Sequence, residues 1–380
     1  MRVYKLRLKN FLSIRDVDLE LGKLNVFVGP NSSGKSNIVR ALQLLSNHAR
    51  EGVPVLPGYR GFKSVVHGFD MTKQVELEIE AEISGRSVRY SLTLTPDNYV
   101  EKAWINGKEA LSSEGGRSEA SVLTRNGTIA LFNKPYIPTL DPMRQQSLTR
   151  CDYKTALNLL PSEAAEEIHL LAELLKSFAI HSFDPRYIRL ASRVADLPLL
   201  GYEGGGLARV LLHFYLENRR VFARIEDVLR SLIPEVEEVI PHIEGENVEL
   251  WLRVKDLREP LKPANISDGT LRILAYITVL HSDASLVAFE EPENFVHPHL
   301  LETLVDLARK APCQVLITTH SPYLLDHVKP EEVYVVEKPG VETIVKKLSE
   351  TKEVEAVKKL LEEGGTLGEA WFSGIMGGVP

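Results

Sequence analysis

An eight-residue stretch, Gly29-Pro30-Asn31-Ser32-Ser33-Gly34-Lys35-Ser36, constrains this chain more than any other feature. It has the form G-x-x-x-x-G-K-S. It lies between the apolar run Leu24-Asn25-Val26-Phe27-Val28 and a segment where Ile38, Val39, Leu42, Leu44 and Leu45 have helical spacing. A strand that turns through such a loop into a helix belongs in an α/β core. Glycines let backbone N–H groups turn inward around an anion, and the helix N-terminus adds positive potential. Residues Gly29 to Ser36, with Asn37, are therefore expected to cradle the phosphates of ATP or GTP. Lys35 would reach the β- and γ-phosphates, and the Ser36 hydroxyl would ligate Mg²⁺.

A loop of this kind needs carboxylates and a polar strand end nearby in space. Leu286-Val287-Ala288-Phe289 reads as a buried strand that stops at Glu290-Glu291-Pro292-Glu293-Asn294. Glu290 is placed to hold Mg²⁺ through water, and Glu291 to polarise the water that attacks the γ-phosphate. Pro292 is expected to end the strand and set the chain direction. A second buried strand, Val315-Leu316-Ile317-Thr318-Thr319, ends in His320-Ser321-Pro322. A histidine there can hydrogen-bond the γ-phosphate or the attacking water. Ser267 precedes the helical run Leu271, Ile273, Leu274, Ile277 and Leu280 and is a natural N-cap. Ser267-Asp268-Gly269 also presents a hydroxyl and N–H groups suited to an anion.

The remaining chain alternates between sheet and helix. Tyr4, Leu6 and Leu8 alternate with Lys5, Arg7 and Lys9; Val75 to Ile83 alternates strictly with glutamates, and Val88 to Leu94 repeats the pattern. An antiparallel meander with one wet face follows from this. Ser112 to Ser118 reads as a mobile loop, and residues 154–232 as mainly helical with a helix start near Ser162. Two strand-like pieces follow, Val236 to Ile243 and Val248 to Val254. The expected domains are 1–150 for the loop-bearing part and meander, 151–264 for a helical lobe, 265–350 for the second core part, and 351–380 for a C-terminal helix and Gly-rich tail. The tail aromatics Trp371 and Phe372 read as exposed in a frayed or pinned terminus.

In their order, the phosphate loop, Ser-x-Gly helix start, Glu-Glu-Pro strand end and strand-end histidine resemble the ABC ATPase superfamily. Leu8-Lys9-Asn10-Phe11, Val26-Phe27-Val28-Gly29-Pro30-Asn31, Glu290 to Asn294 with His297-Pro298, and Thr319 to Pro322 resemble its RecF, SMC and OLD branch. The wording is nearest to small OLD-like ATPases of the AAA type that lack a nuclease domain. The resemblance covers residues 1–45 and 265–326. It implies an ABC-type P-loop ATPase head: an α/β fold with a mixed sheet core, an antiparallel β meander and a helical lobe. It also implies ATP hydrolysis in a homodimer, where Ser267 and Gly269 of one copy close over ATP held by Lys35 and Ser36 of the other. Relatives commonly carry Asp where Glu290 stands. They also carry Arg after the Asn-Phe pair; here Leu12 follows Phe11, and Arg15 is the candidate substitute. Gln145 and Gln146 are candidates for the Mg²⁺-sensing glutamine, against the plainer reading of surface side chains.

Composition narrows the setting. No apolar run of membrane length occurs, so no membrane partner is expected. Two cysteines, Cys151 and Cys313, fit a reducing cytoplasm. The net charge of −7 gives no support to an overall nucleic-acid-coating surface. No coiled-coil heptad separates the two halves, and about sixty residues follow His320. DNA, or a separate nuclease or effector protein, is the expected partner by resemblance, in repair or anti-phage defence. A nucleotide-gated scaffold with negligible hydrolysis is the alternative. A transporter's nucleotide-binding subunit is disfavoured, because Thr270 replaces the usual glutamine and Glu293-Asn294 departs from the transporter wording.

Overall fold

The computed structural model describes residues 1–380 apart from 53, 55, 115–118, 125–126, 133–156, 158–159, 161–163, 295 and 378–380. The chain weaves between two compact units. The first holds residues 1–22, 31–178 and 336–347, and the second holds 23–30, 179–335 and 348–380.

Alternation in the first unit produces one long antiparallel sheet. Its strands are β1 (Arg2–Phe11), β2 (Ile14–Glu20), β4 (Val75–Ile83), β5 (Arg86–Leu94), β6 (Tyr99–Ile105), β7 (Lys108–Glu114), β8 (Glu119–Thr124) and β9 (Gly127–Phe132), in the order β2-β1-β4-β5-β6-β7-β8-β9. Leu6, Leu8, Leu77, Ile79, Val88, Tyr90 and Leu92 are buried on one face. Opposite charges meet across strands on the other, as in Lys5–Asp18 at 3.0 Å and Lys9–Glu76 at 3.3 Å. Helices α1 (Lys35–Glu51) and α2 (Glu166–Lys176) pack together in this unit, α1 against β1 and α2 against β4 and β5. Ser112 and Ser113 lie inside β7, so that part of the expected loop is strand: pairing with β6 and β8 outweighs the weak local propensity of serine. A buried polar cluster links α1 to the sheet. His48 Nε2 and the Tyr90 hydroxyl each lie 3.0 Å from Glu101 Oε2.

The second unit is built on parallel strands. β3 (Leu24–Val28) pairs with β15 (Gln314–Thr319) and β16 (Val333–Glu337), β15 pairs with β14 (Leu286–Glu290), and β10 (Phe178–His181) borders β14. These strands read as unbroken apolar runs because both faces are covered. A three-stranded antiparallel sheet, β11 (Ser192–Arg193), β13 (Asn247–Val254) and β12 (Val236–Glu244), packs with α4 (Leu207–Glu217) and α5 (Arg219–Leu232). The expected helical run is helical only at α2, α3 (Pro185–Ile188), α4 and α5 among the described residues. Pro198 and the glycines at 201, 204, 205 and 206 keep the intervening chain out of helix. Ser162 lies outside the described residues, and α2 begins at Glu166 with two glutamates in its first turn.

Helices α6 (Asp268–Leu280), α7 (Leu301–Lys310), α8 (Pro322–Leu325), α9 (Val354–Glu362) and α10 (Leu367–Phe372) complete the second unit, and β17 (Ile344–Lys347) belongs to the first. Trp371 is fully buried, contrary to the expectation from its glycine-rich surroundings, whereas Phe372 is exposed. Thr366 and Glu369 form a capping box that starts α10, and Gly368 N–H donates to Asp326 at 2.9 Å beside α8. The bond to Asp326 and the buried Trp371 ring hold α10 in the second unit. Among the described residues no helix is long and apolar enough to cross a membrane.

Candidate functional site

Parallel register places three strand ends level with one another. Glu290 on β14 pairs with Thr318, and Thr319 on β15 pairs with Val28 on β3. The carboxyl ends of β14, β15 and β3 therefore present Glu290-Glu291, His320 and Gly29-Pro30 along one sheet edge within the second unit. Open α/β sheets bind ligands at this edge.

Glu291 is turned out of the strand by its own backbone. Its φ is 46°, a left-handed conformation costing about 1 kcal/mol for a residue with a Cβ. The chain thus changes direction one residue before Pro292, the position expected to set it. The Glu291 N–H still donates to Thr318 O at 2.9 Å, so the reversal is tied to β15. The side chain is held from two sides: Oε1 lies 3.0 Å from His320 Nδ1, and Oε2 accepts from Asn294 Nδ2 at 3.0 Å. Both Glu291 and His320 keep access to solvent.

Glu290 has a partner that sequence reasoning missed. The Tyr202 hydroxyl donates to its Oε1 at 2.7 Å. Behind it Phe289 packs on Tyr276, at 4.3 Å between centroids, and on Phe183 at 5.8 Å, which fixes the strand end. Ser267 caps α6, accepting from Thr270 N–H at 3.1 Å. Its neighbour Asp268 pairs with Arg189 at 2.7 Å, and Arg189 also donates to Ile266 O at 2.6 Å. One turn on, Arg272 donates to Asn294 O at 3.2 Å, so α6 is joined to the Glu291 turn. Burial pushes the Arg272 guanidinium down, against the pull of Asp184, Asp268, Glu293 and Glu291.

Residues Asn31 to Asn37 belong to the first unit. Gly34 has φ 101°, and a Cβ there would run into the Thr343 hydroxyl. Thr343 Oγ1 donates to Ser33 O at 2.8 Å and meets Ser13 Oγ at 2.6 Å, while Asn37 Nδ2 donates to Ser13 Oγ at 2.6 Å. Asn37 Oδ1 accepts from Arg40 at 3.0 Å, a bond within α1 that fixes the amide's orientation. Lys35 is buried, and the buried Ser33 hydroxyl has no hydrogen-bond partner among the described residues. An orphaned hydroxyl, a buried cation and a helix start with no acid in its first turn suit a phosphate chain with its metal. Arg15 is exposed, 4.0 Å from Glu342. Gln145 and Gln146 lie outside the described residues.

Residues 24–326 match the family described as "AAA domain, putative AbiEii toxin, Type IV TA system". The chain belongs to the AAA_21 family. The AAA_21 chain is similar to the OLD nuclease of Thermus scotoductus, at 23% identity over 377 residues. The match takes in 90% of this chain and 63% of the nuclease, so the chain spans less than two thirds of that relative's length. Its fold is that of solved SMC heads. One, bound to the C-terminal winged-helix domain of ScpA, has a TM-score of 0.58 at 16% identity, covering 93% of this chain and 100% of that one. Another, with an extended coiled coil and the ScpA C-terminal domain from Pyrococcus furiosus, has a TM-score of 0.54 at 14% identity, covering 95% and 98%. The family match and the SMC-head fold agree with the resemblance to ABC-type ATPases of the RecF, SMC and OLD branch.

Proposed function

We propose that this chain binds and hydrolyses ATP between two copies of itself and uses the cycle to act on DNA or to control a DNA-acting partner. The alignment of Glu290, Glu291, His320 and the first residues of the phosphate loop at one sheet edge carries the reading. Residues Gly29 to Asn37 cradle the phosphates, with Lys35 on the β- and γ-phosphates. Ser36 and Glu290 would hold Mg²⁺, which when bound neutralises charge on the phosphate oxygens. Glu291 accepts the proton of the attacking water, and His320 orients Glu291 through their shared hydrogen bond. Ser267 and Gly269 of a second copy supply a hydroxyl and helix-end N–H groups to the γ-phosphate, so ATP and not ADP favours closure.

The nuclease relative and the ScpA-bound heads support a role beside DNA and a protein effector, which we place in the cytoplasm. Repair and anti-phage defence are the settings this suggests. Phosphate release by the wild type and by Lys35→Ala tests the enzyme: loss of activity in the variant supports it, and equal background in both proteins contradicts it. The bond from Tyr202 to Glu290 Oε1 favours slow turnover as the second reading, a nucleotide-gated scaffold. A salt-dependent DNA titration with and without ATP tests the substrate class.

A further inference from the structure

Glu293 lies two residues beyond Glu291 and is 8% exposed. Its Oε1 accepts the Thr319 hydroxyl proton, and Thr319 Oγ1 accepts the Ser321 N–H at 2.9 Å. Its Oε2 has no hydrogen-bond partner among the described residues. An apolar side chain would seal this turn without desolvating an acid, so the carboxyl calls for a reason.

The bonds give one. Thr319 and Ser321 flank His320, and the Glu293–Thr319–Ser321 chain fixes both flanks. The next residue, Asn294, holds Glu291 Oε2. Residues 293 and 294 therefore steady the two members of the Glu291–His320 pair, each through one link. We propose that Glu293 is a positioning residue that, through Thr319, holds His320 facing Glu291. The inference rests on Glu291 and His320 being a hydrolytic pair. Burial pushes the Glu293 carboxyl up, the Thr319 bond pulls it back, and Glu291 and His320 act on it with opposite signs. Arg272 and Tyr276 on α6 also feel its charge.

Steady-state phosphate release by the full chain tests this, with Glu293→Gln, Glu293→Ala, Thr319→Val and Thr319→Ser beside Glu291→Gln. Glu293→Gln keeps kcat within about threefold, because the amide oxygen still accepts from Thr319, and Thr319→Ser does likewise. Glu293→Ala and Thr319→Val lower kcat roughly 10- to 100-fold, the usual cost of removing a supporting bond, with KM for ATP unchanged. The proposal is overturned if Glu293→Ala or Thr319→Val turns over at the wild-type rate, if Glu293→Gln loses as much as Glu293→Ala, or if the losses lie in KM alone. Thr319→Val keeps the test open should Glu293→Ala not fold. If Glu291→Gln is inactive while Glu293→Ala is normal, only this inference fails. If Glu291→Gln hydrolyses ATP normally, the pair itself is wrong and the inference falls with it.

Discussion

Glu291 Oε1 lies 3.0 Å from His320 Nδ1, joining the turns that leave two neighbouring parallel strands. Half-exposed polar pairs of this kind contribute only about 0–1 kcal/mol to stability. Their consequence is geometric, so substitutions here should act on turnover more than on melting. Glu291→Gln is expected to lower kcat by roughly 10²–10⁴, the range for loss of a general base, with a melting temperature close to wild type. Glu291→Gly should be equally inactive yet more stable by about 1 kcal/mol, because the left-handed φ of 46° no longer strains a Cβ. Phosphate release and thermal melting on the same preparations check both.

Gly34→Ala should damage the phosphate loop for two reasons that add. The φ of 101° disfavours a Cβ, and that Cβ meets the Thr343 hydroxyl. A loss of more than about 1 kcal/mol of stability is expected. Denaturant unfolding measures it, and adding Thr343→Ala should recover part of the loss.

Tyr202→Phe removes the hydroxyl bonded to Glu290 Oε1 and nothing else. With Glu290 as a metal holder, the Mg²⁺ requirement for turnover should shift roughly 10- to 100-fold, as for other bonds behind a metal ligand. Titration of activity with Mg²⁺ reads the shift. An unchanged curve would remove Glu290 from the metal site.

Glu101→Ala in the first unit deprives two buried groups of a partner, the Tyr90 hydroxyl and the His48 ring. A cost of about 3–5 kcal/mol in urea unfolding is expected, the range for breaking a buried polar pair.

Glu293 makes stability depend on pH. Its folded carboxyl is raised above the unfolded value of 4.5, so the folded chain keeps a proton that the unfolded chain releases. That contribution is complete below the unfolded value and is lost as pH climbs through the folded one. Glu293→Gln should flatten this part of the profile, read from melting temperatures between about pH 4 and pH 8.

Local pattern sufficed for much of this site. The phosphate loop, the β14 and β15 ends and the Ser267 cap each lie within one short segment whose residue types carry the signal. What stayed hidden depends on chain separation. Ser13 and Thr343 brace the loop from 330 residues apart, and Tyr202 reaches Glu290 across 88. Asn294 and Glu293 were in view as a departure from the transporter wording, but their partners emerge only once β14 and β15 lie side by side. Trp371 misled because short glycine-rich segments carry no periodicity, and its burial is decided by packing in the second unit. Gly-rich residues 201–206 interrupted an expected helical stretch whose apolar spacing was otherwise persuasive.

Light scattering of Glu291→Gln with ATP, with ADP and without nucleotide tests the central claim most directly. The account predicts a doubled mass with ATP alone, abolished by adding Lys35→Ala or Ser267→Arg. A mass that stays monomeric with ATP, or a dimer indifferent to nucleotide, would contradict it.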